Sequence, residues 1–272
     1  MLFSSGPKSS STDATEGSLV GIWRLGKRLH AGTWTEVFLA QPADAVGNPR
    51  CDYVLKRARH PLRENPEGGW QIRSEIEAAA EVSHPNLIPI LDGSLTAQQP
   101  YCVMPRIEGD TLEYVMSRQQ THPLPVLLWW LRQASQAIAA LHAAGWLHRD
   151  VKPANMMVSD RGHLTLIDLG FATQHRTLGD PIFRGTPQYS APETLDGKGT
   201  LHLGSDIYSL GMTMQNLLAH QPSVPEEINE LIAATTFAKP GQRPSAETVV
   251  GSLLQQEIAT LGRHIVPAAR AA

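Results

Sequence analysis

A chain of 272 residues, 42% apolar and 18% charged, is long enough to bury one full hydrophobic core or two. With 23 Lys and Arg against 26 Asp and Glu the formal charge is −3, which argues against a nucleic-acid partner held by a cationic field. Two cysteines, Cys51 and Cys102, are too few for a disulfide framework and have no metal-ligand spacing.

In chain order, residues 1–18 form a Ser-, Thr- and Gly-rich stretch with no apolar signal segment, expected to be a disordered tail. Short β-type runs at Val20–Leu25, Thr35–Ala40 and Tyr53–Arg57 predict an antiparallel meander. Pro61–Gly69 reads as a loop and Trp70–Val82 as a helix, followed by strand candidates Leu87–Leu91 and Tyr101–Pro105. Beyond Gly109 the pattern turns helical. Pro125–Ala144 carries one apolar stripe (Val126, Trp130, Ala134, Ala137, Leu141) and ends at Gly145. Met156–Val158 and Leu164–Ile167 predict a hairpin; Ser205–Leu218, Pro225–Thr235 and Ser245–Gly262 predict helices. The longest apolar run, Val126–Leu131, has six residues, where a spanning helix needs roughly 20. The expectation is a soluble, cytoplasmic α+β protein with a β-rich lobe, a helical lobe and a cleft between them, and with no membrane partner.

The chemistry-bearing residues are ordered along the chain: Lys56 in a strand, Glu75 in a helix, His148-Arg149-Asp150-Val151-Lys152-Pro153-Ala154-Asn155, Asp168-Leu169-Gly170, and Ala191-Pro192-Glu193. Glu75 lies in the apolar stripe Ile72, Glu75, Ala79, Val82, where a carboxylate is costly unless paired. In this order and spacing the motifs resemble a eukaryotic-type serine/threonine protein kinase, of the kind found also in bacteria, over about residues 22–258. The resemblance implies a bilobal kinase-like fold spanning 19–262, with the N-lobe at 19–104, a hinge at 105–109 and the C-lobe at 110–262, then a tail at 263–272. It implies ATP and Mg²⁺ (Mn²⁺ in its place) as cofactors and a protein substrate with a Ser/Thr acceptor.

Residue by residue, the resemblance makes Asp150 the group that takes the acceptor proton and Lys152 the cation facing the transferred phosphate. Asn155 and Asp168 become oxygen ligands for the metal, as suits Mg²⁺. Lys56 becomes the phosphate-binding lysine, paired with Glu75. Met104 would guard the adenine pocket, with Ile107 donating its N–H from the hinge; ordinary strand core explains Met104 equally well. Thr186, in Gly185–Glu193, would dock substrate and bond toward Asp150 and Lys152. Glu193 with Arg243 would form a buried scaffold ion pair, and Asp206 would cap the catalytic-loop backbone.

Two departures from the pattern stand out. Where the family has a glycine-rich nucleotide loop, His30 and Thr35 replace the first and third glycines and only Gly32 remains, ahead of Val37. Glycine lets backbone amides approach phosphates closely, so weaker ATP affinity is expected. Between Leu218 and Pro225 only six residues intervene, where relatives carry a longer, helix-bearing segment. Arg149 calls for an anion, and by elimination among the nearby hydroxyls Thr177, flanked by Arg176 and with Arg184 near, is the expected autophosphorylation site. Two other readings remain: a non-catalytic kinase-like binding module, motivated by the lost glycines, and a small-molecule phosphotransferase.

Overall fold

The computed structural model describes residues 16–45, 50–61, 63–118, 121–175, 182–195 and 201–261. Most of both expected tails, and Thr177 with Arg176, lie outside these residues.

Six strands form the N-terminal sheet: β1 (Leu19–Val20), β2 (Trp23–Ala31), β3 (Thr35–Pro42), β4 (Tyr53–Ala58), β5 (Asp92–Ser94) and β6 (Tyr101–Pro105), in the order β1-β2-β3-β4-β6-β5, antiparallel throughout. The single strand expected at Val20–Leu25 is two strands, because Gly21 turns the chain with φ 58°. Alternation along the strands puts Phe38, Leu55, Tyr101 and Val103 into an outer core with Trp23 and Leu25. Cys102 and Met104 lie on the other face and pack with Ile72 and Ile88.

Helix α1 (Pro66–Glu81) begins four residues earlier than the apolar spacing predicts. Its start is set by Asn65, whose side chain caps the Gly68 amide, and by Pro66 in the first turn. The predicted strand at Leu87–Leu91 is not one. Leu87 instead sits opposite Leu166 in the other lobe: the Ile88 amide donates to the Leu166 carbonyl at 3.0 Å and the Leu166 amide to the Asn86 carbonyl at 2.8 Å, while Asn86 Nδ2 reaches Gln133 Oε1 at 3.0 Å and the Leu164 carbonyl at 2.7 Å. Pairing with β6 resumes at Leu91, two residues beyond the donorless Pro89, where the Leu91 amide donates to the Val103 carbonyl at 2.8 Å, and continues through β5.

The second lobe follows with β7 (Gly109–Thr111), α2 (Leu112–Ser117), α3 (Leu124–Ala143), β8 (Trp146–Leu147), β9 (Met156–Ser159), β10 (Leu164–Leu166), β11 (Thr173–Gln174), α4 (Pro192–Leu195), α5 (Gly204–Leu218), α6 (Glu226–Thr235) and α7 (Ala246–Leu261). The predicted hairpin is β9–β10, widened by β7 into three strands, while α2 and α4 were not foreseen. α3 buries Leu127 through Ser135 without interruption, so it is the central rod of the lobe and its apolar surface is no single stripe. α5 leads to α6 across residues 219–225. No helix among the described residues is long and apolar enough to cross a membrane.

Candidate active site

β4 lies between β3 and β6, with Lys56 opposite Val37 on one side and Cys102 on the other. The pleat turns Lys56 away from the outer core and toward α1, where it is 6% exposed. Its Nζ lies 2.7 Å from Glu75 Oε2 and 2.6 Å from Asp168 Oδ1. Glu75 is 1% exposed. Burial pushes the Glu75 carboxyl above its ordinary pKa, with Lys56 only partly opposing. Burial would lower the pKa of Lys56, but Asp168 and Glu75 outweigh it and raise it well above the usual lysine range. Partial burial opposes ionisation of Asp168, yet Lys56 and the Gly170 amide hold its carboxyl down at about 2. A single cation, Lys56, thus serves two carboxylates. Glu77, on another face, is exposed and pairs with Arg73.

The second group is assembled by strained backbone. Arg149 and Asp168 are the non-glycine residues with positive φ among the described residues, at 69° and 65°, a conformation that costs about 1–3 kcal/mol unless held. Arg149 is held by Asp206 near the start of α5. Asp206 Oδ1 accepts the Arg149 amide at 2.9 Å, and Oδ2 accepts the His148 amide at 2.8 Å and lies 2.9 Å from His142 Nε2. Burial works against the Asp206 charge, but these bonds keep its pKa below the ordinary value. The buried His148 ring lies 3.1 Å from the Ile167 carbonyl through Nε2 and accepts the Asp150 amide on Nδ1, which ties this loop to the strand entering Asp168.

Four polar side chains then meet. Asp150 Oδ1 accepts Thr186 Oγ1 at 2.8 Å; its Oδ2 accepts Asn155 Nδ2 at 2.9 Å and Lys152 Nζ at 2.7 Å. Lys152 also donates to Thr186 Oγ1 at 2.6 Å. Ser190 Oγ bonds the Thr186 carbonyl, and Arg243 bonds Glu193 through both oxygens at 2.6 and 2.9 Å. Asn155 spends its amino group on Asp150, which leaves its carbonyl oxygen as a donor atom. On Asp168, Lys56 and Gly170 both bind Oδ1, on a side chain still 45% exposed. The remaining oxygens of Asn155 and Asp168 are hard donors of the kind that suits Mg²⁺.

The β2–β3 hairpin carries Gly32. His30 pairs with Val37, Ala31 with Glu36, and the Gly32 amide closes the turn on the Thr35 carbonyl at 2.9 Å. The Trp34 carbonyl is tied down by the Arg59 amide at 3.0 Å and Asn65 Nδ2 at 2.8 Å. Gly68 permits this approach, since a Cβ there would stand 2.5 Å from the Trp34 oxygen. Met104, with Val54, Ile107 and Ile167 alongside, forms the apolar ground beside Lys56 on which a planar base could rest.

The two cations expected near a phosphate have partners of their own among the described residues. Arg149 Nη1 donates to Thr173 Oγ1 at 3.2 Å. Arg184 ion-pairs with Glu67 and stacks on Trp70. Thr177 itself lies outside the described residues. Sequence reasoning also missed Asn65, although Asn65-Pro66 is a legible helix-start signal.

The family description "Protein kinase domain" matches residues 24–253. The chain belongs to the protein kinase family. It is similar to the tyrosine-protein kinase MasK of Myxococcus xanthus (27% identity, 91% of this chain, 46% of the relative). It is also similar to CBL-interacting protein kinase 19 of Oryza sativa subsp. japonica (32%, 75% and 40%) and the serine/threonine-protein kinase PknB of Mycolicibacterium smegmatis (30%, 74% and 33%). The chain thus spans less than half the length of each of these relatives.

Proposed function

We propose that this kinase domain, residues 19–262, transfers the γ-phosphate of ATP to serine and threonine hydroxyls of protein substrates and to itself. The observation that carries the reading is the cluster Asp150–Lys152–Asn155–Thr186, in which a carboxylate, a cation and a hydroxyl lie in mutual hydrogen-bond contact.

In the proposed reaction the acceptor oxygen forms a bond to the γ-phosphorus as the bond from that phosphorus to the β–γ bridging oxygen breaks. ADP leaves with the electron pair, and the hydroxyl proton passes to Asp150. Lys152 offsets negative charge on the moving phosphoryl group, while Lys56, oriented by Glu75, holds the α- and β-phosphates. Asn155 and Asp168 would hold Mg²⁺, which supplies charge neutralisation at the phosphates. The hairpin at Gly32 and Val37 covers the nucleotide, and Met104 and Ile107 line the base pocket.

Serine/threonine rather than tyrosine specificity rests on Lys152 and on the segment around Thr186. The test is incubation of the purified chain with labelled ATP and Mg²⁺, with and without a generic basic protein, followed by phosphoamino-acid analysis. Phosphoserine and phosphothreonine are expected. Phosphotyrosine alone overturns the specificity, and no incorporation favours the non-catalytic module. Autophosphorylation is proposed at Thr177: mass mapping should find it modified and Thr177→Ala several-fold less active, whereas an unmodified Thr177 in a fully active enzyme ends that assignment.

A further inference from the structure

Glu75 meets Lys56 only while α1 stays in place, and burial works against the ionised Glu75. The helix therefore needs fastening from outside the pair. At its N-terminal end Arg184, on a side chain 9% exposed, ion-pairs with Glu67 in the first turn of α1. The same guanidinium lies over the Trp70 ring, 3.9 Å from its centroid, and Phe171 packs against Trp70 at 6.4 Å between centroids. At the other end Glu81 accepts Trp146 Nε1 at 2.8 Å and Gln174 Nε2 at 3.2 Å. Phe171, Gln174 and Arg184 all belong to the segment between Asp168 and Glu193, so that segment grips α1 one to two turns to either side of Glu75.

We propose that Arg184 is a positioning residue: through Glu67 and Trp70 it holds α1 so that Glu75 meets Lys56, and it does so in the unphosphorylated chain. The cation belongs to the segment between Asp168 and Glu193 and the anion to the helix, so no added phosphate is required for this contact. The inference rests on the kinase reading above.

The test uses the full chain after phosphatase treatment, with Arg184→Ala, Glu67→Gln and the double variant. Steady-state kinetics and hydrogen exchange of the α1 amides are the readouts. Arg184→Ala should lower kcat by about tenfold, Glu67→Gln by less because the Trp70 stack survives, and the double variant should be no worse than Arg184→Ala. Exchange across α1 should speed up in Arg184→Ala while α3 stays protected. Because Arg184 lies two residues from Thr186, it could act instead by shaping the docking segment. A loss confined to the KM for protein substrate, with α1 exchange unchanged, would overturn the proposal, as would full activity or additive losses. If Arg184→Ala does not fold, Glu67→Gln and Trp70→Leu carry the same comparison. Should the wild-type chain transfer no phosphate, the kinase reading fails, while α1 exchange in the ATP-free variants still decides the clamp.

Discussion

Replacing Asp150 by Asn separates chemistry from architecture. The side chain is 7% exposed and its Oδ2 faces two donors, Asn155 Nδ2 at 2.9 Å and Lys152 Nζ at 2.7 Å. An Asn amino group placed there would confront both donors; flipped, it would meet Thr186 Oγ1, which already accepts from Lys152 at 2.6 Å. Either orientation loses a charge-assisted hydrogen bond, about 1.5–3 kcal/mol of stability. For a domain of this size that lowers the melting temperature by about 2–4 °C per kcal/mol, so the protein stays folded. The rate suffers more: loss of a general base removes roughly two to four powers of ten, ~3–5 kcal/mol of barrier. Labelled phosphate incorporation at saturating ATP and Mg²⁺, set beside a thermal melt, reads both quantities. Incorporation by Asp150→Asn at the wild-type rate would refute the role given to Asp150.

Lys56→Met should abolish transfer and lower the melting temperature, because Glu75 is left buried without its cation; adding Glu75→Leu should restore stability but not activity, and a melt unchanged by Lys56→Met alone would contradict this. His30→Gly with Thr35→Gly should let phosphates approach the hairpin more closely and lower the ATP KM, at roughly 0.5–1 kcal/mol per strand glycine; calorimetry showing no tighter ATP binding would count against the loop argument. The Glu193 carboxyl is opposed by burial but held below its ordinary pKa by Arg243 and Ser205. A depressed folded pKa means its contribution is full above the unfolded value and is lost as pH falls through the folded one. Wild type should therefore exceed Glu193→Gln in stability at about pH 6, with the gap closing below about pH 4; a gap constant with pH would exclude this.

The kinase motifs were legible because each is short, contiguous and tied to one local conformation. Asp150, Lys152 and Asn155 occupy one loop, and Glu75 betrays itself as a carboxylate in an apolar stripe. The same local logic located β3, β4, β6, α3, α5, α6 and α7. It failed where a competing long-range partner won. Leu87–Leu91 has strand composition, but its first residues pair with β10 in the other lobe, a choice made by Asn86 bridging to Gln133 and Leu164. The two substituted glycines signalled a poor phosphate loop, yet only the fold shows the hairpin tip fastened to α1 through Asn65, with Gly68 making room. The partners of Arg184 were invisible in the sequence: Glu67 lies 117 residues away, and nothing local distinguishes an arginine stacked on Trp70 from one free to meet a phosphate. Residue type and spacing determine which groups are available, while packing between distant segments decides which of them touch, because a charge takes whichever partner the folded backbone brings within reach.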